Sequence, residues 1–497
     1  MSSRVVVAAT VFVAFAALGA PSPCAAREGG EILGSREAIG AALENNPTLR
    51  AAVLNEEQAG VAVRAEEGLY PLMLQLDGGF THASSPRVDT NGSIAHSSSD
   101  TTVLGAELSK TFPIGTEAAV RVEGNQQLPG ADGPGYGLAA RLGLTQPLLR
   151  GAGKTVVQSS WRQAVQAENI AALRSRRVAS EVALNVLDTY WELWYSLRAL
   201  EIEQRARDLA RTQLEEAEAR VEQGDTAPVE ALPFQTRLAT LEESVVAARA
   251  SRDNLSVQLA GAIGFASRRD RVMADAGESP DIAGPIPAER EAVARALESS
   301  PEVREQLASI ALAEERERTA GEQMRARLDM MGWLEANTLG NGEVSPAFSQ
   351  FGQGEAYSAY VGLVYELPLD DTRKEAQRAS ARLDVDIAAQ QLVATRDSIR
   401  SRVLTVMETI SSARTRLELA ERTLEVARLQ AEAERERYEL GAAIFVEVRE
   451  AEESVREADL RTVRARVDLV QARLQLEHLT GTLLETSGDP GRRAPRN

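Results

Sequence analysis

The spacing of apolar residues changes period along the chain, and each change marks an element. Glu37 to about Glu67 reads as a helix, with Ala38, Ala41, Ala42, Leu49 and Val53 on one face and an early kink at Pro47. From Leu72 the period shortens to two. Leu72, Leu74 and Leu76 alternate, and the alternation resumes over Val103–Leu108, Ala119–Val122 and Leu138–Leu144. Turn residues separate these runs, as in Pro113-Ile114-Gly115-Thr116 and Pro129-Gly130-Ala131-Asp132-Gly133. The stretch Ser84–Thr101, rich in Ser, Asn and Asp, predicts an exposed loop. Lys154–Gln223 then runs without proline or glycine and predicts one very long helix. Ala210, Leu214, Ala217 and Val221 on it keep the 3-4 spacing of a coiled-coil seam.

The second half of the chain follows the same order with fewer strands. Leu328–Leu339 and Tyr357–Leu369 are strand-like around a Gly/Ser/Gln loop at Gly340–Gly354. Asp371–Leu440 is again free of proline and glycine, with Leu417, Ala420, Leu424, Ala427, Ala431 and Tyr438 in seam spacing. Residue identities repeat as well. Arg36-Glu37-Ala38-Ile39 with Pro47 returns as Arg290-Glu291-Ala292-Val293 with Pro301, each 254 positions later. Arg220-Val221-Glu222-Gln223-Gly224 returns as Arg437-Tyr438-Glu439-Leu440-Gly441, with Val229 answered by Val446 and Gly264 by Gly481, each 217 positions later. A unit this long is no short solenoid repeat. The chain holds two similar halves, and an extra hairpin in the first accounts for the difference in spacing.

Each long helix ends at a C-cap glycine, Gly224 or Gly441, and a shorter helix returns to Gly264 or Gly481. A helix of about 70 residues spans roughly 105 Å, close to the opening helix and the return helix laid end to end. The first repeat therefore covers 35–264, with strands at about 72–147 and a helical hairpin at about 154–264. A Pro-, Gly- and Asp-rich linker, 265–287, sits at mid-height. The second repeat covers 288–482, with strands at about 328–369 and a hairpin at about 371–482, and 483–497 is a flexible tail.

Composition narrows the function. Arg4, the apolar run Val5–Ala20 and the small residues before Ala26 form a secretory signal peptide over 1–26. Cys24 is the sole cysteine and Pro23 makes it a poor lipidation site, so the mature chain carries no thiol or disulfide chemistry. No later run suffices for a transmembrane helix, which leaves a soluble exported protein or a β-barrel. A net charge of −18 provides no basic patch for nucleic acid. Aromatics at 4% amid abundant Ala, Glu, Arg and Leu suit long coiled-coil helices. His82, His96 and His478 are scattered, so neither a zinc site nor any other cofactor or catalytic constellation is expected. Trp191, Trp194 and Tyr195 read as packing between helices.

Taken in order, these segments resemble the TolC family of outer-membrane efflux proteins over about Ser35–Gly481. The resemblance is carried by Leu142-Gly143-Leu144-Thr145-Gln146-Pro147-Leu148-Leu149-Arg150-Gly151, by Asp188-Thr189-Tyr190-Trp191-Glu192-Leu193, and by the two Arg-x-Glu-x-Gly tips with their following Val-Glu. It implies an α+β fold: a β-barrel in the outer membrane, shared by a homotrimer at four strands each, continuing into a periplasmic α-helical barrel. The extra hairpin departs from that pattern, either adding strands or lying as a flap at the mouth. The implied function is a passive exit duct for tripartite efflux or type I secretion, fed by an inner-membrane transporter through a periplasmic adaptor. The alternative is an exported coiled-coil scaffold with no channel. The adaptor-docking tips are expected at Arg220, Gly224, Val229, Arg437, Gly441 and Val446. Family members carry acidic constriction residues at positions matching Glu432 and Arg435, and here this pair stands at i, i+3, in reach of each other or of a neighbouring helix.

Overall fold

The computed structural model describes residues 31–88, 90–128, 135–265, 272–275, 277–280, 285–341 and 356–486. The signal peptide, the turn at Pro129–Gly133, most of the Gly340–Gly354 loop and residues 487–497 lie outside the described residues. After a short strand β1 (Glu31–Leu33), the first repeat runs α1 (Ser35–Asn45), α2 (Pro47–Glu67), β2 (Met73–Val88), β3 (Ile94–Thr111), β4 (Glu117–Leu128), β5 (Gly135–Pro147), α3 (Lys154–Val157), α4 (Ser159–Gln223) and α5 (Leu232–Ile263). The linker contributes β6 (Val272–Ala274). The second repeat follows with α6 (Glu289–Ser299), α7 (Pro301–Gln323), β7 (Arg327–Asn341), β8 (Tyr357–Glu366), α8 (Thr372–Glu439), α9 (Phe445–Leu479) and a final turn, α10 (Leu483–Thr486).

The opening helix is interrupted by one residue in each half, and for the same reason. Asn46 stands before Pro47, which lacks an N–H and begins a new helix, and the Asn46 carboxamide caps it by accepting from Thr48 N and Leu49 N. The same Asn46 donates Nδ2 to Ala262 O at 2.8 Å, at the end of α5. In the second half Ser299 Oγ donates to Thr480 O at 2.9 Å, beside the break at Pro301. The two repeated spacings thus meet at a junction: the break of the opening helix abuts the C-cap glycine of the return helix, Gly264 or Gly481. End-to-end stacking along each long helix is the arrangement that the lengths predicted.

The core is thickest at this level. Ala38, Ala42 and Leu49 are buried against Val186, Tyr190, Leu193, Leu259 and Ile263, whereas Val53 faces outward. Tyr190 and Trp194 turn toward the linker. The Tyr190 hydroxyl donates to the Glu278 carboxylate, and Trp194 Nε1 donates to Glu278 O at 2.8 Å. Within the linker, β6 pairs in parallel with β1, a strand that the linker's Pro-, Gly- and Asp-rich composition does not suggest. Leu483, expected in a flexible tail, is fully buried against Ile39, Ala183 and Leu187, so the closing segment is pinned to the first repeat by an apolar anchor.

The remaining strands form one antiparallel sheet in the order β2-β3-β4-β5-β7-β8. Four come from the first repeat and two from the second, so the extra hairpin joins the sheet, which holds six strands among the described residues rather than the expected four. The expected loop Ser84–Thr101 is largely strand. Ser84 pairs with Ser98 and Arg87 with Ala95, continuing the β2–β3 ladder out to Val88 and Ile94. Ladder bonds join backbones and do not require apolar side chains, so a polar run pairs as readily as an apolar one.

Candidate functional site: the sheet faces, the hairpin tips and the junction above them

Alternation along paired strands divides the sheet into two chemically distinct faces. One carries Leu74, Leu76, Leu104, Leu108, Val120, Leu142, Leu334 and Leu363, all exposed in the single chain. The other carries a row that runs in register across the strands, Gln75, Glu107, Arg121, Arg141, Glu335 and Ser358. Arg121 pairs with Asp77 at 2.9 Å and Glu123 at 3.0 Å, and Arg141 pairs with Glu335. An apolar exterior with a polar interior is the pattern of an outer-membrane barrel wall. No described helix is long and apolar enough to cross a membrane.

At the opposite end lie the two hairpin tips. Gly224 and Gly441 hold φ of +82° and +72°, the left-handed conformation that only glycine adopts without strain. Each closes its helix in the same way, with Asp225 N donating to Arg220 O at 3.0 Å and Ala442 N to Arg437 O at 2.7 Å. The repeated arginines therefore share a backbone role, while their side chains diverge. Arg220 Nη1 donates to Tyr438 Oη at 3.4 Å, and Arg437 pairs with Glu434 at 2.8 Å. Val229 and Val446 are both exposed, at 65% and 42%. Phe234 and Phe445 stack at 3.6 Å between centroids and hold the two tips side by side. Aromatics are few in this chain, and a Phe near each tip was a signal available in the sequence.

Arg435 does not pair with Glu432. Its Nη2 lies 2.9 Å from Glu452 Oε1 on α9, while Glu432 is exposed. Glu452 is buried, and Arg237 on α5 reaches its Oε2 at 2.8 Å. Gln213 Nε2 on α4 donates to its Oε1 at 2.9 Å. One carboxylate thus touches three helices besides its own, all four members of the two hairpins. Burial makes the pairing compulsory, because a lone carboxylate there would go unsolvated. A second tie lies above it, where Arg456 on α9 pairs with Glu203 on α4 at 2.5 Å. Sequence reading found Arg435 but not its partner, which has no distinguishing mark among so many glutamates. Further up α4, burial and the nearby Glu192 charge raise the Asp188 carboxyl to about 6.

The family model of the outer membrane efflux proteins matches residues 38–265 and 292–482. The chain therefore belongs to the outer membrane efflux protein family, the class of outer-membrane channels through which cargo leaves the cell. No curated protein sequence matches it. Among solved structures it resembles the outer membrane protein VceC of Vibrio cholerae, at 16% identity, TM-score 0.65, over 90% of this chain and 96% of that one. The open-state MtrE channel of Neisseria gonorrhoeae matches at 17% identity, TM-score 0.64, over 90% and 89%. A membrane protein of Pseudomonas aeruginosa matches at 15% identity, TM-score 0.67, over 90% and 93%. At these identities the likeness is one of fold.

Proposed function

We propose that three copies of this chain form a continuous duct, a β-barrel in the outer membrane opening into a helical tunnel in the periplasm. The duct is passive and receives cargo from an inner-membrane transporter through a periplasmic adaptor seated on the tips. The observation that carries the reading is the sheet: an apolar outer face, a charged inner face and two edges, β2 and β8, that are bare among the described residues. Bare edges are not tolerated in lipid, and six strands are too few to close on themselves. The helices need neighbours too, since Leu383 and Ile387 stand exposed one turn apart on α8. The scaffold alternative leaves the apolar sheet face unexplained. Membranes separated by density should show the protein with the outer membrane, and mild detergent should extract it as a heat-modifiable trimer. A monomer in the soluble periplasmic fraction would overturn the duct.

The tips fit the docking role. Val229, Leu232, Leu440 and Ile444 are exposed there, and a groove of about 560 Å³ lies between α5 and α9 just above, lined by Arg237, Arg449, Glu450 and Glu453. An adaptor with an apolar end and charged flanks matches such a surface. The closed aperture falls at Glu432 and Arg435, one to two turns before Tyr438. Arg435 is held by Glu452 within its own chain, so the constriction is coupled to the junction of the two hairpins. The double variant Glu432→Gln with Arg435→Gln leaves Arg237 and Gln213 on the Glu452 carboxylate, and it should raise single-channel conductance in planar bilayers, with trimer abundance measured alongside. Unchanged conductance would place the gate elsewhere.

A further inference from the structure

The first repeat's additional hairpin changes what the barrel is. We infer that three copies close an eighteen-stranded barrel, with β8 of each copy pairing with β2 of the next, and that its bore is water-filled and of porin width. The inference rests on the trimer proposed above and adds the identity of the two closing edges and the size of the exit.

Three observations place β2 and β3 inside the wall rather than on a flap. The first is the ladder itself. β3 pairs with β4 without interruption from Thr111↔Glu117 to Asp100↔Leu128, so β4 has no free edge to offer a neighbouring copy. The second is a charge bridge that spans three strands. Arg121 on β4 reaches over β3 to Asp77 on β2, with Nη1 and Nη2 at 3.0 and 2.9 Å from the two carboxylate oxygens. It can do so because Gly105 lies between them. A Cβ there would sit 2.6 Å from Asp77 Oδ2 and 2.8 Å from Arg121 Nη2. The missing side chain is thus the gap through which the outer strand is tied to the body of the sheet. The third is the exterior. Leu74 and Leu76 on β2 continue the apolar face of Leu104 and Leu108 on β3, and a hairpin folded away would carry all four into water.

Polarity completes the closure. With an even number of antiparallel strands, β2 and β8 run in opposite directions, so β8 of one copy meets β2 of the next as an ordinary antiparallel pair. With strands about 4.8 Å apart and tilted by roughly 40°, eighteen give a barrel ~36 Å across against ~24 Å for twelve. Barrels of sixteen to eighteen strands leave an aqueous channel. The inward row supports that, because Asp77, Glu107, Arg121, Glu123, Arg141 and Glu335 place charge where a narrow barrel would need packed side chains.

Cysteine cross-linking of the full-length protein in its own membrane tests the closure. Tyr360→Cys on β8 is combined in turn with Met73→Cys, Gln75→Cys or Thr81→Cys on β2, and separately with Ala119→Cys or Asn125→Cys on β4. The β2 set should give disulfide-linked dimers and trimers, and the β4 set should give none. Cross-links to β4 would mean that β2 and β3 lie outside the ring and would overturn the inference. Electron microscopy of the unmodified trimer in lipid discs is the second measurement, and a wall of twelve strands would overturn it as well. Particles with a copy number other than three would instead refute the trimer itself.

Discussion

Export is expected to fall to background when Gly441→Val is combined with Val446→Asp, while trimers remain in the outer membrane at wild-type abundance. Gly441 sits at φ +72° with nothing within 4 Å of the position a Cβ would take. A Cβ there meets no clash, so the main cost is the left-handed conformation, at least about 1–2 kcal/mol and more for a β-branched residue. That amount reshapes one exposed turn and is too small to unfold a hairpin whose seam extends the length of α8. Val446 is exposed in the first turn of α9, where a carboxylate costs the fold little, since that end of a helix favours negative charge. A partner with an apolar end would lose both the turn it reads and the contact it buries. Transport of a reporter substrate, alongside quantification of the trimer, separates docking from assembly. Full export by such trimers would show that the tips are not the partner-facing surface.

Gly264→Ala should lower the stability of the helical part by several kcal/mol, far more than the same change at either tip. Gly264 holds φ +100°, and a Cβ would lie 2.5 Å from Asn45 O, 2.7 Å from its carbonyl carbon and 2.9 Å from Asn46 Cα. All three are backbone atoms of the opening-helix break, so no side-chain rotation relieves the overlap. The chain must separate the end of α5 from the start of α2, losing the bond from Asn46 to Ala262 and loosening Leu259 and Ile263. Gly481 is the milder counterpart, with its nearest atom, Ser299 O, at 2.9 Å. Gly224, with open space around it, should cost only about 1–2 kcal/mol for the left-handed conformation. Thermal melts followed by helical circular dichroism should rank the alanine variants as Gly264, Gly481, then Gly224 in order of damage. Equal losses at Gly264 and Gly224 would mean that the junction bears no stress.

The same glycines show how much was legible in advance. Their repetition at a fixed spacing marks a structural demand in both halves, yet the sequence treats all four alike, as caps. Only the packed molecule separates Gly224 and Gly441, whose surroundings are empty, from Gly264 and Gly481, which admit another backbone. The tips were legible because a C-cap glycine followed by a short turn is a local signal. The tie between them was not. Glu452 is one glutamate among many, and Gln213 and Arg237 lie more than 200 positions away in the chain, so no local pattern relates the three.

The sequence by itself determined the lengths of the helices, the positions of the apolar strands, the duplication and the family. The helices and strands follow from periodicity and turn chemistry acting over a few residues, the duplication from residue identities repeated at fixed spacings, and the family from the resemblance that the quoted motifs carry. Tertiary structure alone decided which strands pair and how many share the sheet. The run Ser84–Thr101 carries no apolar alternation, yet its backbone finds a partner in the adjacent arm of the hairpin. It also decided that Arg435 turns to Glu452 rather than to Glu432, because the buried carboxylate has no water and the exposed one does. Leu483 was decided the same way: a single leucine after a helix predicts nothing until Ile39, Ala183 and Leu187 of the other repeat surround it. Local rules act on residues near in sequence, whereas burial and ladder pairing act on residues near in space, and in this chain the two repeats supply the neighbours for each other.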